Sequence, residues 1–219
     1  MRILLALSIF IAAPASRLHA QTKSGPPSLP TAPATEPGAD YENRWDIYGG
    51  FAYSHFNTGV GHSAHSNLLG GEGTATAWLS QVVGLSASAH YLTGTIPVAT
   101  NAAGITNPRM NETLFLFGPE FRLYRSPKYA LGLHVLIGGT YGIFDTDLKG
   151  VDPNSLNVYS NQLAFASAAG ATWDYNLSRR LSVRGITDWQ ATRFGFNTQN
   201  EFAGSVGIVY KIGSLHTQK

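Results

Sequence analysis

The chain has 219 residues, which is enough for one full-sized domain with export or linker segments but leaves little room for a second core. Charged residues make up only 13% of it, well below the roughly 25% found in soluble domains. The net charge of +2 comes from scattered basic residues and gives no indication of nucleic-acid binding. The lack of cysteine excludes disulfides, thiolate metal sites and a cysteine nucleophile.

The first twenty residues have the pattern of an export signal. Arg2 precedes an uncharged stretch that runs to Ala15, and small residues lead to candidate cleavage sites after Ala15 or Ala20. The apolar core, residues 3–13, is too short for a membrane-spanning helix, which needs about 20 residues. We therefore predict a secretory signal peptide over residues 1–20.

The next segment, residues 21–43, is rich in proline, serine, threonine and alanine. It lacks periodic apolar residues, so it has no face that a core would bury. This composition is typical of a disordered, semi-extended linker.

From residue 45 onward, apolar and polar residues alternate with a period of two, which indicates strands. Turn residues separate eight such runs. The predicted strands cover residues 45–56, 68–79, 82–93, 112–124, 129–143, 162–175, 181–194 and 201–212.

The connections between these strands alternate in length. Three of them are short (80–81, 125–128 and 176–180), whereas the others are longer (57–67, 94–111, 144–161 and 195–200). Short periplasmic turns alternate with longer extracellular loops in outer-membrane barrels. The pattern predicts an all-β domain over residues 44–213, an eight-stranded antiparallel up-and-down transmembrane β-barrel, with a C-terminal tail at 214–219.

The charges fall on one face of the predicted strands, and only Arg193 lies on the apolar face, near a strand end. Eight strands enclose a lumen that side chains can fill, and buried charges there need partners. We predict a structural charge network in the lumen, for instance Glu120 and Arg122 with Arg184 and Asp188. Its candidate members are Asp46, Glu72, Glu120, Arg122, Arg184, Asp188, Glu201 and Lys211, and Glu112 and Asp174 lie on the same face.

Aromatic residues gather near both ends of the apolar faces, as the interfacial girdles of a membrane barrel require. The predicted girdle residues are Trp45, Trp173, Tyr175 and Tyr210 on the short-turn side and Tyr53, Phe115, Tyr141 and Trp189 toward the loops. A soluble β-barrel has the same alternation. Scarce lysine on the polar face and aromatics at the strand ends favour the membrane barrel.

Three segments carry a family resemblance: WDIYGGFAY at 45–53, FLFGPEF at 115–121 and GIVYKI at 207–212. With them, residues 45–213 resemble the small outer-membrane β-barrel proteins of the OmpA/OmpX-like porin superfamily. The resemblance implies a filled lumen and the outer-membrane assembly machinery as a partner. Outer-membrane lipids are the other expected partner, and no cofactor is predicted. The chain departs from the pattern at its end, because the last strand closes on Lys211 and Ile212 rather than on an aromatic residue.

The sequence thus predicts a non-enzymatic protein of the outer membrane of a diderm bacterium. Its role would be envelope integrity, adhesion or contact with a surface ligand. The alternatives are a narrow porin-like channel, a secreted soluble β-barrel that binds a ligand, and a lipid A-modifying barrel enzyme. The oligomeric state stays open.

Several histidines are candidates for a chemical role. His55, His62 and His65 surround the first long loop, but that loop offers no carboxylate or cysteine ligand, so no metal site is predicted. Next to His55, Asn57 stands where a lipid A deacylase-like motif has its serine, so no catalytic residue is predicted. In the lumen, His90 with Ser88 and His134 with Asp188 are further candidate pairs.

Overall fold

The structure, a computed structural model, describes residues 38–57, 65–195 and 198–215. Eight strands each pair antiparallel with the next, and β1 pairs with β8 to close the barrel. The strands are β1 (Trp45–Asn57), β2 (His65–Trp78), β3 (Val83–Thr95), β4 (Arg109–Arg125), β5 (Tyr129–Ile143), β6 (Gln162–Asn176), β7 (Leu181–Thr192) and β8 (Gln199–Ile212). The predicted eight-stranded up-and-down fold is confirmed.

Side chains point alternately into and out of the barrel, as the period of two requires. In β5, Leu133 and Val135 are exposed on the outside, while His134 and Leu136 are buried in the lumen. Glycine is needed where the curved sheet brings the strands close together. A Cβ atom on Gly138 would lie 1.9 Å from the carbonyl oxygen of Phe115.

The short connections lie at one end of the barrel, here called the short-turn end. Each of the three turns contains a serine whose hydroxyl accepts hydrogen bonds from the backbone a few residues on. Ser80 accepts from Val83 N, Ser126 from Tyr129 N and Ser178 from Leu181 N, at 3.0, 3.0 and 3.1 Å. These local bonds fix the hairpin register without a long loop.

The longer connections lie at the opposite end, here called the long-loop end. The connection between β5 and β6 contains a 3-10 helix, Pro153–Leu156, whose first turn is capped by the Asp152 carboxylate accepting from Asn154 N. Among the described residues, no helix has the length and hydropathy needed to cross a membrane.

Residues 38–43, here called the strap, pack against the short-turn end. Ala39, Tyr41 and Asn43 are buried, and Ala39 N donates to the Pro127 carbonyl at 3.1 Å. For these six residues the prediction of a disordered linker is wrong, because Tyr41 and Asn43 bury side chains that make specific contacts. Most of the predicted linker, the predicted signal peptide at 1–20 and the end of the predicted tail lie outside the described residues.

Candidate functional site

The outer surface of the barrel is apolar between the strand ends. Large apolar side chains are exposed on every strand, for example Phe51 at 82% and Phe117 at 62%. Among the described strand residues, the only charged side chains that are exposed are Arg109 and Arg125, the first and last residues of β4. Arg193 lies beyond the end of β7 and so belongs to a loop. The sheet therefore carries an uncharged belt around its outside.

The eight aromatic residues predicted for the girdles are all on the outer surface, with exposures from 38% to 63%. Trp45 opens β1 and Tyr210 is two residues from the end of β8, so both lie at the short-turn end. Tyr141 and Trp189 lie near the long-loop ends of β5 and β7. The structure thus places aromatic side chains near both edges of the belt.

Arg184 is the centre of an ionic cluster in the short-turn half of the lumen, formed by Asp46, Glu120, Arg122, Asp174 and Arg184. Its guanidinium donates to Asp174 Oδ1 and Oδ2 at 2.6 and 2.8 Å and to Asp46 Oδ2 at 2.9 Å. Glu120 Oε1 lies 3.7 Å from it. A buried arginine in this setting is held by several carboxylates, which compensates the cost of its dehydration.

Arg122 and Lys211 extend this cluster toward the barrel mouth. Arg122 contacts Asp46 Oδ2 at 3.3 Å and stacks over the Trp78 ring at 3.7 Å. Lys211 donates to Asn176 Oδ1 at 2.6 Å. Both cations also lie over the Tyr41 ring, at 4.7 and 5.0 Å.

Tyr41 closes this mouth from the strap. Its hydroxyl lies 2.7 Å from the Ser126 carbonyl oxygen and accepts a hydrogen bond from Asn176 Nδ2 at 2.6 Å. Burial raises the pKa of the Tyr41 phenol above its ordinary value. The hydroxyl therefore stays protonated and keeps its role as a donor at neutral pH.

Two histidine pairs occupy the middle of the lumen. His134 Nε2 lies 2.8 Å from Asp188 Oδ1, and His90 Nε2 lies 3.2 Å from Ser88 Oγ and 3.6 Å from Glu72 Oε1. Asp188 thus contacts His134, as one of the two sequence-based hypotheses suggested, whereas the other grouped it with Glu120, Arg122 and Arg184. The reason is register, since Asp188 and His134 both flank Gly170 across β6.

The remaining predicted charges lie in the long-loop half of the lumen. Glu112 accepts from the Thr140 hydroxyl at 2.8 Å, and Glu201 accepts from the hydroxyls of Ser54 and Thr192. All three hydroxyls belong to strand residues that point inward. These two carboxylates are held by neutral donors instead of cations.

An aromatic cap, formed by Phe144, Tyr159 and Phe194, covers the long-loop end. Phe144 packs edge-on against Phe194 with ring centroids 5.4 Å apart, and both side chains are fully buried. The alternation of the strands does not indicate this cap, because its residues lie in loops or beside them. The alternation does not indicate the role of Tyr41 either. The one sequence signal there is an aromatic residue within a polar segment just before β1.

The other histidine candidates lie at the long-loop rim. The rings of His55 and His65 stack with centroids 5.2 Å apart, and His55 Nδ1 lies 3.0 Å from Asn67 Oδ1. His62 and the side chain of Asn57 lie outside what the structure describes. In the described residues, no group of three or more His, Cys, Asp or Glu side chains has the geometry to hold a metal ion.

The barrel is similar to solved outer-membrane proteins at low sequence identity. The alignment with Ail, the attachment invasion locus protein of Yersinia pestis, covers 78% of this chain and 99% of that one, with 14% identity and a TM-score of 0.51. OprG from Pseudomonas aeruginosa has 10% identity, coverage of 81% and 98%, and a TM-score of 0.56. Neisserial surface protein A has 11% identity, coverage of 77% and 97%, and a TM-score of 0.54.

These similarities concern the fold. No protein-family model matches the sequence, and no curated protein matches it either. The chain has the fold of the small eight-stranded outer-membrane β-barrels, which is the fold that the OmpA/OmpX-like resemblance implied.

Proposed function

We propose that this chain is a non-enzymatic outer-membrane β-barrel with a closed lumen, whose long loops contact ligands outside the cell. The observation that carries the proposal is the uncharged apolar belt around a closed sheet. A closed barrel pairs every backbone donor and acceptor within the sheet, which the interior of a bilayer requires. Each strand has 12 to 17 residues, more than the 9–11 that cross a hydrocarbon core.

The distribution of polarity supports lipid rather than water as the surroundings of the belt. A soluble barrel buries its apolar face and exposes its charges, whereas here, among the described residues, large apolar side chains cover the outside and ten charged side chains lie in the lumen. Monomeric soluble proteins rarely expose contiguous apolar patches above a few hundred Å². This arrangement argues against the alternative of a secreted soluble ligand binder.

The filled lumen supports a closed barrel rather than an open channel. Arg184 with its carboxylates blocks the short-turn half, Tyr41 covers that mouth, and Phe144 and Phe194 cover the other. An ion crossing the barrel would have to break a buried ionic cluster, which costs several kcal/mol. We therefore expect no stable conductance from the purified protein in planar bilayers.

The finer role that we propose is surface contact or adhesion, with a contribution to envelope integrity. In this fold, loops carry function on a rigid scaffold. Here the connections at 96–108 and 144–161 are the longest described segments between strands. One structure with this fold, Ail, is named for attachment and invasion.

The membrane assignment is tested by placing arginine at two depths of the belt. Val135 lies at the middle of β5 and Leu123 lies near the end of β4, and both are exposed on the outside. In a bilayer, Val135→Arg should destabilise the folded barrel by about 2–4 kcal/mol and Leu123→Arg by about 0–1 kcal/mol. Unfolding in liposomes, followed by heat-modifiable migration on gels, measures the difference.

Equal effects of the two substitutions, together with a mature chain that stays monomeric without detergent, would defeat the membrane proposal.

The surface role has its own test. Cell fractionation with external protease should cut within 144–161 in intact cells, and deleting loop residues should reduce cell attachment while leaving the barrel heat-modifiable. A chain that is protected in intact cells argues against surface contact.

A further inference from the structure

Two carboxylates in the long-loop half of the lumen have no cationic partner among the described residues. Glu112 and Glu201 are 0% and 2% exposed, and they lie close enough for an electrostatic interaction with each other. Among the described residues, neither makes an ion pair with a lysine, arginine or histidine. The arginines of the lumen are engaged at the opposite end, Arg122 with Asp46 and Arg184 with Asp46, Glu120 and Asp174.

An amide beside them is also without a partner. Gln190 is fully buried and lies directly opposite Glu201 in the β7–β8 register, so its side chain points to the same part of the lumen. Neither Gln190 Oε1 nor Nε2 has a hydrogen-bond partner among the described residues, and the same holds for Glu112 Oε2. Buried polar atoms nearly always have partners, so the two unpartnered acceptor oxygens, Glu112 Oε2 and Gln190 Oε1, indicate a ligand in this part of the lumen.

The donor set identifies the chemical class of that ligand. We propose that Glu112, Glu201 and Gln190 form an internal site for one calcium ion. The available ligand atoms are all oxygens: Glu112 Oε2, the Glu201 carboxylate, Gln190 Oε1 and the hydroxyls of Ser54 and Thr192, which already contact Glu201. Oxygen-only ligands with two negative charges suit a hard divalent cation.

Calcium fits better than magnesium. Ca²⁺ accepts six to eight oxygens in flexible geometry, whereas Mg²⁺ demands a near-ideal octahedron and keeps several waters. The side chains here start from four strands, β1, β4, β7 and β8, whose positions the closed barrel fixes. The cation would neutralise both carboxylates and supply the partner that Gln190 Oε1 lacks.

The position of the site predicts that bound calcium exchanges slowly with calcium in solution. Phe144, Tyr159 and Phe194 lie between this part of the lumen and the long-loop end. Calcium would therefore enter as the barrel folds or when the cap opens, and a chelator would remove it slowly.

The site is tested with the mature chain folded in detergent micelles at pH 8. Refolding with ⁴⁵Ca²⁺, followed by desalting, should leave about one calcium per barrel. The thermal midpoint should rise by about 5 °C with calcium relative to EDTA, as expected for a ligand near 100 times its Kd. Magnesium at the same concentration should have a smaller effect.

Isosteric variants locate the binding. Glu112→Gln and Glu201→Gln should each lose both the retained calcium and the thermal shift. Glu72→Gln removes another lumen carboxylate, beside His90, and should keep both. Heat-modifiable migration on gels checks that each variant is folded.

The wild-type measurement alone can overturn the proposal. A wild-type barrel that retains no ⁴⁵Ca²⁺ and has the same thermal midpoint in calcium and in EDTA excludes the site. Equal loss in Glu72→Gln also contradicts it, because calcium would then respond to lumen charge in general.

Discussion

The two halves of the lumen are filled by different kinds of side chain. In the short-turn half, two arginines and three carboxylates form a cluster in which every charge has an opposite partner. In the long-loop half, Leu68, Leu114 and the aromatic cap form an apolar cluster, and among the described side chains Glu112 and Glu201 have hydroxyl partners instead of cationic ones.

This difference shows how a narrow barrel can be closed. Ion pairs fix specific geometry but are costly when one member is lost, because the other charge stays buried. Apolar packing has no such dependence on a partner, and its losses scale with the cavity that is left. The short-turn half should therefore be the more sensitive to single substitutions.

The largest expected effect is at Arg184. Arg184→Met leaves Asp174 and Asp46 without their closest cationic contact, and we expect a loss of about 3–5 kcal/mol of folding free energy. Urea unfolding of the barrel in liposomes measures it. Adding Asp174→Asn to Arg184→Met should restore part of the lost stability. An Arg184→Met variant within about 1 kcal/mol of wild type would show that the cluster contributes little.

The aromatic cap should give a somewhat smaller effect. Phe144→Ala opens a cavity between Phe194 and Tyr159, with an expected cost of about 3 kcal/mol. The same liposome assay applies. Phe51→Ala, on the exposed outer face, is the matched control and should cost less because it leaves no internal cavity. Equal costs would mean that the cap is not packed as described.

The next largest effect on stability is expected in the strap. Tyr41→Phe keeps the ring beneath Arg122 and Lys211 but removes the hydroxyl that Asn176 and the Ser126 carbonyl contact. We expect a loss of about 1–2 kcal/mol and faster hydrogen exchange in residues 38–43. Unchanged exchange there would show that the hydroxyl does not hold the strap.

The smallest effect is expected at the exposed pair of Arg179 and Asp40, whose Nη2 and Oδ2 atoms are 2.7 Å apart. Burial opposes the charge on Asp40, yet hydrogen bonds from Glu42 N and Arg179 outweigh it and lower the pKa of that carboxyl. The pair stabilises above the ordinary Asp pKa and loses its effect as pH falls through the lowered value. Arg179→Ala should change stability by less than about 0.5 kcal/mol at pH 7.

The sequence predicted much of the fold because strand alternation is a local property. The strand boundaries from the period-two pattern differ from the structure by three residues or fewer. The same pattern placed charges such as Asp46 and Lys211 in the lumen and aromatics such as Trp45 and Trp189 outside. Each assignment needed only the neighbouring residues.

The charge partners could not be predicted in the same way. Asp46 and Arg184 are 138 positions apart, and Asp46 and Arg122 are 76 apart. They meet because β1, β4 and β7 face one another across a lumen that exists only once β8 pairs with β1. The sequence left Asp188 with two candidate settings, the network around Arg184 and the pair with His134, and only the folded barrel gives its contact with His134.

By itself, the sequence determined which residues form strands and which face each side chain takes, because both follow from the two-residue repeat of an extended backbone. The tertiary structure decided the rest: the partners within the lumen, the docking of Tyr41 and the aromatic cap. These depend on barrel closure, which brings distant strands and loops to one small volume where every buried charge and cavity must be compensated.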